Sequence, residues 1–178
     1  MRITLLLLLL LDADVIIDLH RLGVWEIIVK KHEVYISSIV LHKEAYYYED
    51  SSGTIHPIEL EKEIGTKIHE LSCLPEELAR FIEQFDYNVR EGLHDGEKEA
   101  LVLLQKQKEL ILCTCDKAAI KALALLDLSR QGISFENLLN KSGISQKIDQ
   151  KHTEKYFKLW LTEGSIMKIQ ESGLKKGK

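Results

Sequence analysis

Seven consecutive leucines, Leu5 to Leu11, run directly into Asp12-Ala13-Asp14. A run of that kind has few places to go. With Arg2 before it, the run resembles the start of a signal peptide, but it is at the short limit for one and no Ala-x-Ala site follows. It is also far too short to span a bilayer, which takes about 20 apolar residues. The remaining place is the middle of a parallel sheet, where a strand is covered on both faces and is apolar throughout. We therefore read Ile3–Leu11 as a first, central strand. Leucine is not a strong strand former, so burial has to override propensity there.

The rest of the chain alternates in the way such a sheet needs. Val15–Leu22 reads as a helix capped by Asp14 and stopped by Gly23, and Val24–Lys31 as a second helix. Glu33–Ile36 reads as strand 2. Ser37 or Ser38 then caps a helix reaching to about Glu49. Glu61–Leu71 and Glu76–Phe85 read as helices, the second with Pro75 in its first turn. Val89 is assigned to strand 3, Leu110–Thr114 to strand 4 and Gly132–Ser134 to strand 5. Helices are expected at Glu97–Gln107, Lys117–Leu126, Asn137–Lys141 and Thr153–Leu161, with Gly164 interrupting the last pattern. Strands alternating with helices imply a three-layer α/β/α fold with a central parallel sheet of about five strands. The division expected is a domain over residues 1–145 and a basic helical C-terminal extension over 146–178.

Charge is uneven along the chain. Residues 141–178 hold nine lysines against four acids, a net +5 in a chain of net −4, so the first 140 residues carry −9. The basic end can fold back on the acidic body, or it can hold a polyanion that the body alone would repel. Helical spacing of Tyr156, Leu159 and Trp160 gives part of it an apolar face, whereas the lysines after Met167 lack one and are read as free. The three cysteines, Cys73, Cys113 and Cys115, are too few and too unevenly placed for a disulfide framework. Reduced thiols and a cytoplasmic location, with no membrane segment, are the expectation.

In a parallel sheet the reactive crevice lies beyond the carboxyl ends of the strands. Asp12 directly follows strand 1 and Asp116 follows strand 4 by two residues. Glu44 lies two turns into the helix after strand 2, and Glu97 and Glu99 open the helix before strand 4. Four elements thus carry carboxylates toward one rim. Crowded carboxylates repel one another and raise each other's pKa, which a bound cation relieves. Oxygen donors without His or Cys suit Mg2+ or Mn2+ rather than zinc. Taken singly, each acid is more often a helix cap or a solvated charge, and only the joint placement points to a site. The tyrosines Tyr46-Tyr47-Tyr48 could stack bases, but three consecutive aromatics on a helix point in three directions, so most of the cluster is read as core packing, and His42 and His94 are read as structural.

Four segments together resemble the PIN-domain family of metal-dependent ribonucleases. Leu11-Asp12-Ala13-Asp14-Val15-Ile16 is similar to that family's opening strand followed by Asp-x-Asn/Asp. Ser37-Ser38-Ile39 through Glu44-Ala45 resembles its second segment, where a serine starts a helix bearing a glutamate. Gly96-Glu97-Lys98-Glu99-Ala100-Leu101 resembles the Gly-Glu-x-Glu-Ala form of one branch, and Thr114-Cys115-Asp116 the Thr-x-Asp after strand 4. Phe135–Gly143 is similar to the helix after the last strand. The resemblance covers residues 1–145. It implies that Asp12, Glu44, Glu99 and Asp116 are catalytic and hold Mg2+ or Mn2+, with Glu97 as the other candidate ligand at the third position. Asp14, Ser38 and Thr114 would support them. It implies RNA as the substrate, an antitoxin-like protein as a partner, and pairing into a homodimer. Toxins of that kind are usually shorter, and Glu59–Asp86 and the basic end are extra here.

Two other readings stay open. A PIN-type fold can serve as a weakly catalytic RNA-binding or protein-interaction module. Haloacid-dehalogenase-type phosphatases also begin with a hydrophobic strand and Asp-x-Asp, with Asp12 as nucleophile and Asp14 as general acid. That family needs a late Gly-Asp-x-x-x-Asp for its metal, and this sequence offers only Asp95-Gly96 in reversed order.

Overall fold

In a computed structural model of the protein, which describes residues 6–175, the leucine run becomes the centre of the sheet. Strand β1 is Leu8–Leu11. Leu9 and Leu11 enter one core cluster and Leu10 the other, each at most 1% exposed. The period of two thus puts leucine into both faces, and each buried side chain contributes about 1.5–3 kcal/mol. The strand is shorter than its sequence suggests: Leu6 and Leu7 precede it without strand pairing, and residues 3–5 lie outside the described part.

Five strands form one parallel sheet in the order β5-β2-β1-β6-β7. These are Ile68–Leu71, Glu33–Ser37, Leu8–Leu11, Leu110–Cys113 and Gly132–Ile133. On one face lie α1 (Ala13–Arg21), α2 (Trp25–Lys31) and α8 (Phe135–Lys141), around Ile16, Leu19, Ile28 and Phe135. On the other lie α4 (Pro75–Glu83), α6 (Asp95–Lys106), α7 (Lys117–Leu125) and α9 (Glu154–Ile169). The architecture is three-layered α/β/α, as the alternation implies.

Several elements differ from the sequence reading. Helix α3 spans only Ser38–Lys43, with the Ser37 Oγ accepting from the Val40 amide at 3.4 Å. The three tyrosines leave it, and Tyr47 and Tyr48 enter a hairpin of β3 (Tyr47–Glu49) and β4 (Ile55–Pro57). Aromatics favour strands, and the turn is closed by Asp50 Oδ1, which accepts from the Ser52 and Thr54 amides at 2.8 and 3.0 Å. Gly53 supplies the positive φ of +82° that the turn needs. The helix expected over Glu61–Leu71 is broken by Gly65 at φ +76°. Only a 3-10 turn at Leu60–Glu63 remains, and the rest pairs with β2 as edge strand β5. Val89 is helical: α5 (Tyr87–Gly92) is capped by Asp86, whose Oδ1 accepts from the Val89 amide at 3.0 Å. The N-cap of α1 is Asp12, not Asp14.

The C-terminal segment is bound to the body. Gly164 does not interrupt α9: it lies within it against α7, where a Cβ would come 2.4 Å from the Lys121 carbonyl oxygen. Phe157 is buried in the second core cluster. His152 Nε2 and Asp18 Oδ2, both buried, are 2.5 Å apart. Leu174 bridges to Phe85, and Lys168, read as free, pairs with Asp127. Lys176 and Lys178 lie outside the described residues. No helix among those described is long and apolar enough to cross a membrane.

Candidate active site

The sheet order sets the location of the crevice. From β1 the chain moves to β2 on one side and later returns to β6 on the other, so the switch point lies between β1 and β6. Asp12 and Asp116 stand at the ends of these two strands. A cleft of about 580 Å3 opens there, lined by Asp12, Asp14, Glu44, Glu97 and Asp116 together with His94 and Asp95.

Each acid is placed by a backbone feature. Asp12 caps α1, its Oδ1 accepting from the Ala13 amide at 2.8 Å. Asp116 caps α7, its Oδ1 accepting from the Ala118 and Ala119 amides at 2.6 and 3.1 Å. Thr114 ties the two together. Its hydroxyl donates to Asp12 Oδ2 at 2.7 Å and accepts from the Asp116 amide at 3.1 Å. Glu97 sits in the first turn of α6 and reaches back, Oε2 accepting from the His94 amide at 2.8 Å. Glu44, at the end of α3, accepts from the Gly96 amide at 3.2 Å. Glycine at 96 is required by that approach, since a Cβ would stand 2.4 Å from Glu44 Oε2.

Burial and mutual repulsion act on the cluster in the same direction. Burial, then the charges of Asp116 and Asp12, pushes the Glu97 carboxyl up to about 8. Burial pushes Asp12 up to about 6, with Asp14 and Asp116 adding to it and the hydrogen bonds from Thr114 and Ala13 opposing it. These two acids gain most from a neutralising cation or proton.

Of the two glutamates at the third position, Glu97 lines the cleft and Glu99 does not. The carboxylate of Glu99 is buried behind the site, accepting from the Ile39 amide at 2.8 Å and the Cys73 amide at 3.4 Å. Two residues apart on α6, the two side chains cannot share a face. Glu99 instead ties α6 to α3 through the Ile39 amide and to the segment after β5 through the Cys73 amide. Ser38 is also outside the cleft, donating to Glu70. Asp14 is at the rim, exposed, with Lys151 Nζ 3.6 Å away. His94 and Asp95 line the cleft, which the sequence reading missed. Their position immediately before Gly96-Glu97 was the available signal.

The donor set is all oxygen and suits a hard divalent cation. Among the described residues, however, no three His, Cys, Asp or Glu side chains stand in ligating array. Four of the carboxylates are turned toward backbone amides, so holding an ion takes side-chain rotation. No family model matches the chain, and neither a curated protein nor a solved structure matches it.

Proposed function

We propose that the protein is a metal-dependent endoribonuclease that hydrolyses RNA phosphodiester bonds. The observation that carries this reading is the convergence of Asp12, Glu44, Glu97 and Asp116, from four separate elements, on one cleft at the switch point of a parallel sheet. The buried Glu97 and Asp12, both with raised pKa, are what such a cluster shows before a cation relieves it. These four residues would hold Mg2+ or Mn2+, which when bound activates water and steadies the leaving oxygen of a phosphodiester. Thr114 fixes the rotamer of Asp12 and, through the Asp116 amide, the spacing of the two aspartates. Three free cysteines, two of them buried, fit a reducing compartment and a cytoplasmic location.

The test is cleavage of mixed single-stranded RNAs in the presence of manganese, wild type against Asp12→Asn. Cleavage by the wild type and its loss in the variant are expected. Equal cleavage by both would exclude Asp12, and no cleavage in manganese, or with magnesium in its place, would overturn the activity. A second reading, an RNA-binding module without strong catalysis, is favoured by the amide-bonded resting position of four of the acids. RNA binding without cleavage would establish it.

A further inference from the structure

We infer that the acidic cleft continues into a groove that takes an unpaired base of single-stranded RNA next to the scissile bond. This inference rests on the ribonuclease reading and names the form of its substrate. The groove holds about 320 Å3, within the range of small-ligand sites. It shares Ile17 and Glu44 with the cleft, and continues past Arg21 to Tyr46 and Tyr47. A strand bound with a phosphate at the acids therefore lays its neighbouring nucleotide against these residues.

The walls suit a base. Tyr46 and Tyr47 are 52% and 55% exposed, a large aromatic surface left open beside the cleft. Sequence-tolerant binding of single strands relies on such stacking platforms, and bases paired in a duplex do not offer their faces to them. The Tyr46 hydroxyl donates to the His42 carbonyl, which anchors its ring. Arg21, paired to the buried Asp18, holds a guanidinium in the groove wall, the one cation among lining residues that are otherwise acidic, aromatic or, at Ile17, aliphatic.

The platform is also held in place. Tyr48, the next residue, stacks on His56 at 4.9 Å between ring centroids and on His20 at 6.2 Å. His20 in turn stacks on Trp25 at 4.7 Å. This four-ring column fixes the β3–β4 hairpin to α1 and α2. A preformed aromatic wall loses little freedom on binding.

The experiment measures fluorescence anisotropy of a labelled short oligouridylate with calcium in place of manganese, so that a divalent cation offsets the carboxylates, and a gel of the same samples checks that the strand stays intact. The same strand annealed to its complement is the second probe. Wild type is expected to bind the single strand more tightly than the duplex. Tyr46→Ala or Tyr47→Ala is expected to weaken that binding by about fivefold to about 150-fold, the range one stacked base supplies. Tyr46→Phe, which keeps the ring but loses its hydroxyl anchor, should bind more tightly than Tyr46→Ala, and Tyr87→Ala, a tyrosine 74% exposed on α5 away from the groove, should bind as wild type. Equal affinity of wild type and both alanine variants would overturn the groove, as would duplex preference or no binding. Self-association lost in Tyr47→Ala without any RNA binding would overturn it in favour of a protein interface. Tyrosine-dependent binding with no cleavage in manganese would leave the groove standing and remove the nuclease.

Discussion

Replacing Glu97 by glutamine should make the protein more stable at pH 8 than the wild type. The carboxyl is 5% exposed and lifted from its usual 4.5 to about 8. Between those values the folded chain keeps the proton and the unfolded chain releases it. The unfolded state then binds fewer protons, so stability falls as pH rises. It is fully present below pH 4.5 and is lost by the time the pH passes about 8. At about 1.4 kcal/mol per pH unit, the interval from 4.5 to about 8 corresponds to about 5 kcal/mol. Glutamine occupies the same volume, and its carbonyl still accepts from the His94 amide, so it keeps the cap and removes the titration. Urea unfolding at a series of pH values from 5 to 8 reads the difference. The wild-type curve should descend more steeply than that of Glu97→Gln, and added manganese should flatten it. Parallel curves for the two proteins would refute the account of Glu97 as a carboxyl forced neutral by burial and by its neighbours.

Manganese or magnesium should raise the melting temperature, by the equivalent of about 2.7 kcal/mol at a hundredfold excess over the dissociation constant, and Asp12→Asn should lose that gain in differential scanning fluorimetry. Glu99→Gln should retain RNA cleavage while Glu97→Gln loses it, because only Glu97 lines the cleft; gel-based cleavage assays separate them. Gly164→Ala should destabilise by about 1–3 kcal/mol in urea unfolding, since its Cβ meets the Lys121 carbonyl at 2.4 Å.

The parts of the fold that the sequence makes legible are those dictated by burial and by caps. Leu9, Leu10 and Leu11 are apolar on consecutive positions because both sheet faces are covered. Asp116 is at once a cap and a cleft residue, so its position survives any small error in strand ends. The misread parts are those where a tertiary partner decides. Ile68–Leu71 becomes a strand because β2 offers an unpaired edge, which no local pattern reveals. The tyrosines leave α3 because the Asp50 turn brings β4 back to pair with them. At the third acidic position, the choice between Glu97 and Glu99 depends on the rotation of α6. That rotation is set by Gly96 packing on Glu44, a contact 52 residues apart in sequence.

The C-terminal segment shows the same dependence in its charges. The lysines after Met167 read as free because charge along the chain does not show the partners that lie across it. Lys168 meets Asp127 and Lys151 meets Asp14 and Asp18. The buried His152–Asp18 pair fixes the turn that carries Lys151, so removing Asp18 leaves the His152 ring nitrogen buried and unmatched. Lys151 is thereby held 3.6 Å from Asp14, at the rim of the cleft. The acidic rim thus carries a cation delivered from the far end of the sequence. On the proposed ribonuclease reading, an RNA backbone at the carboxylates would find Lys151 at the rim and Arg21 in the adjoining groove, both tethered through Asp18.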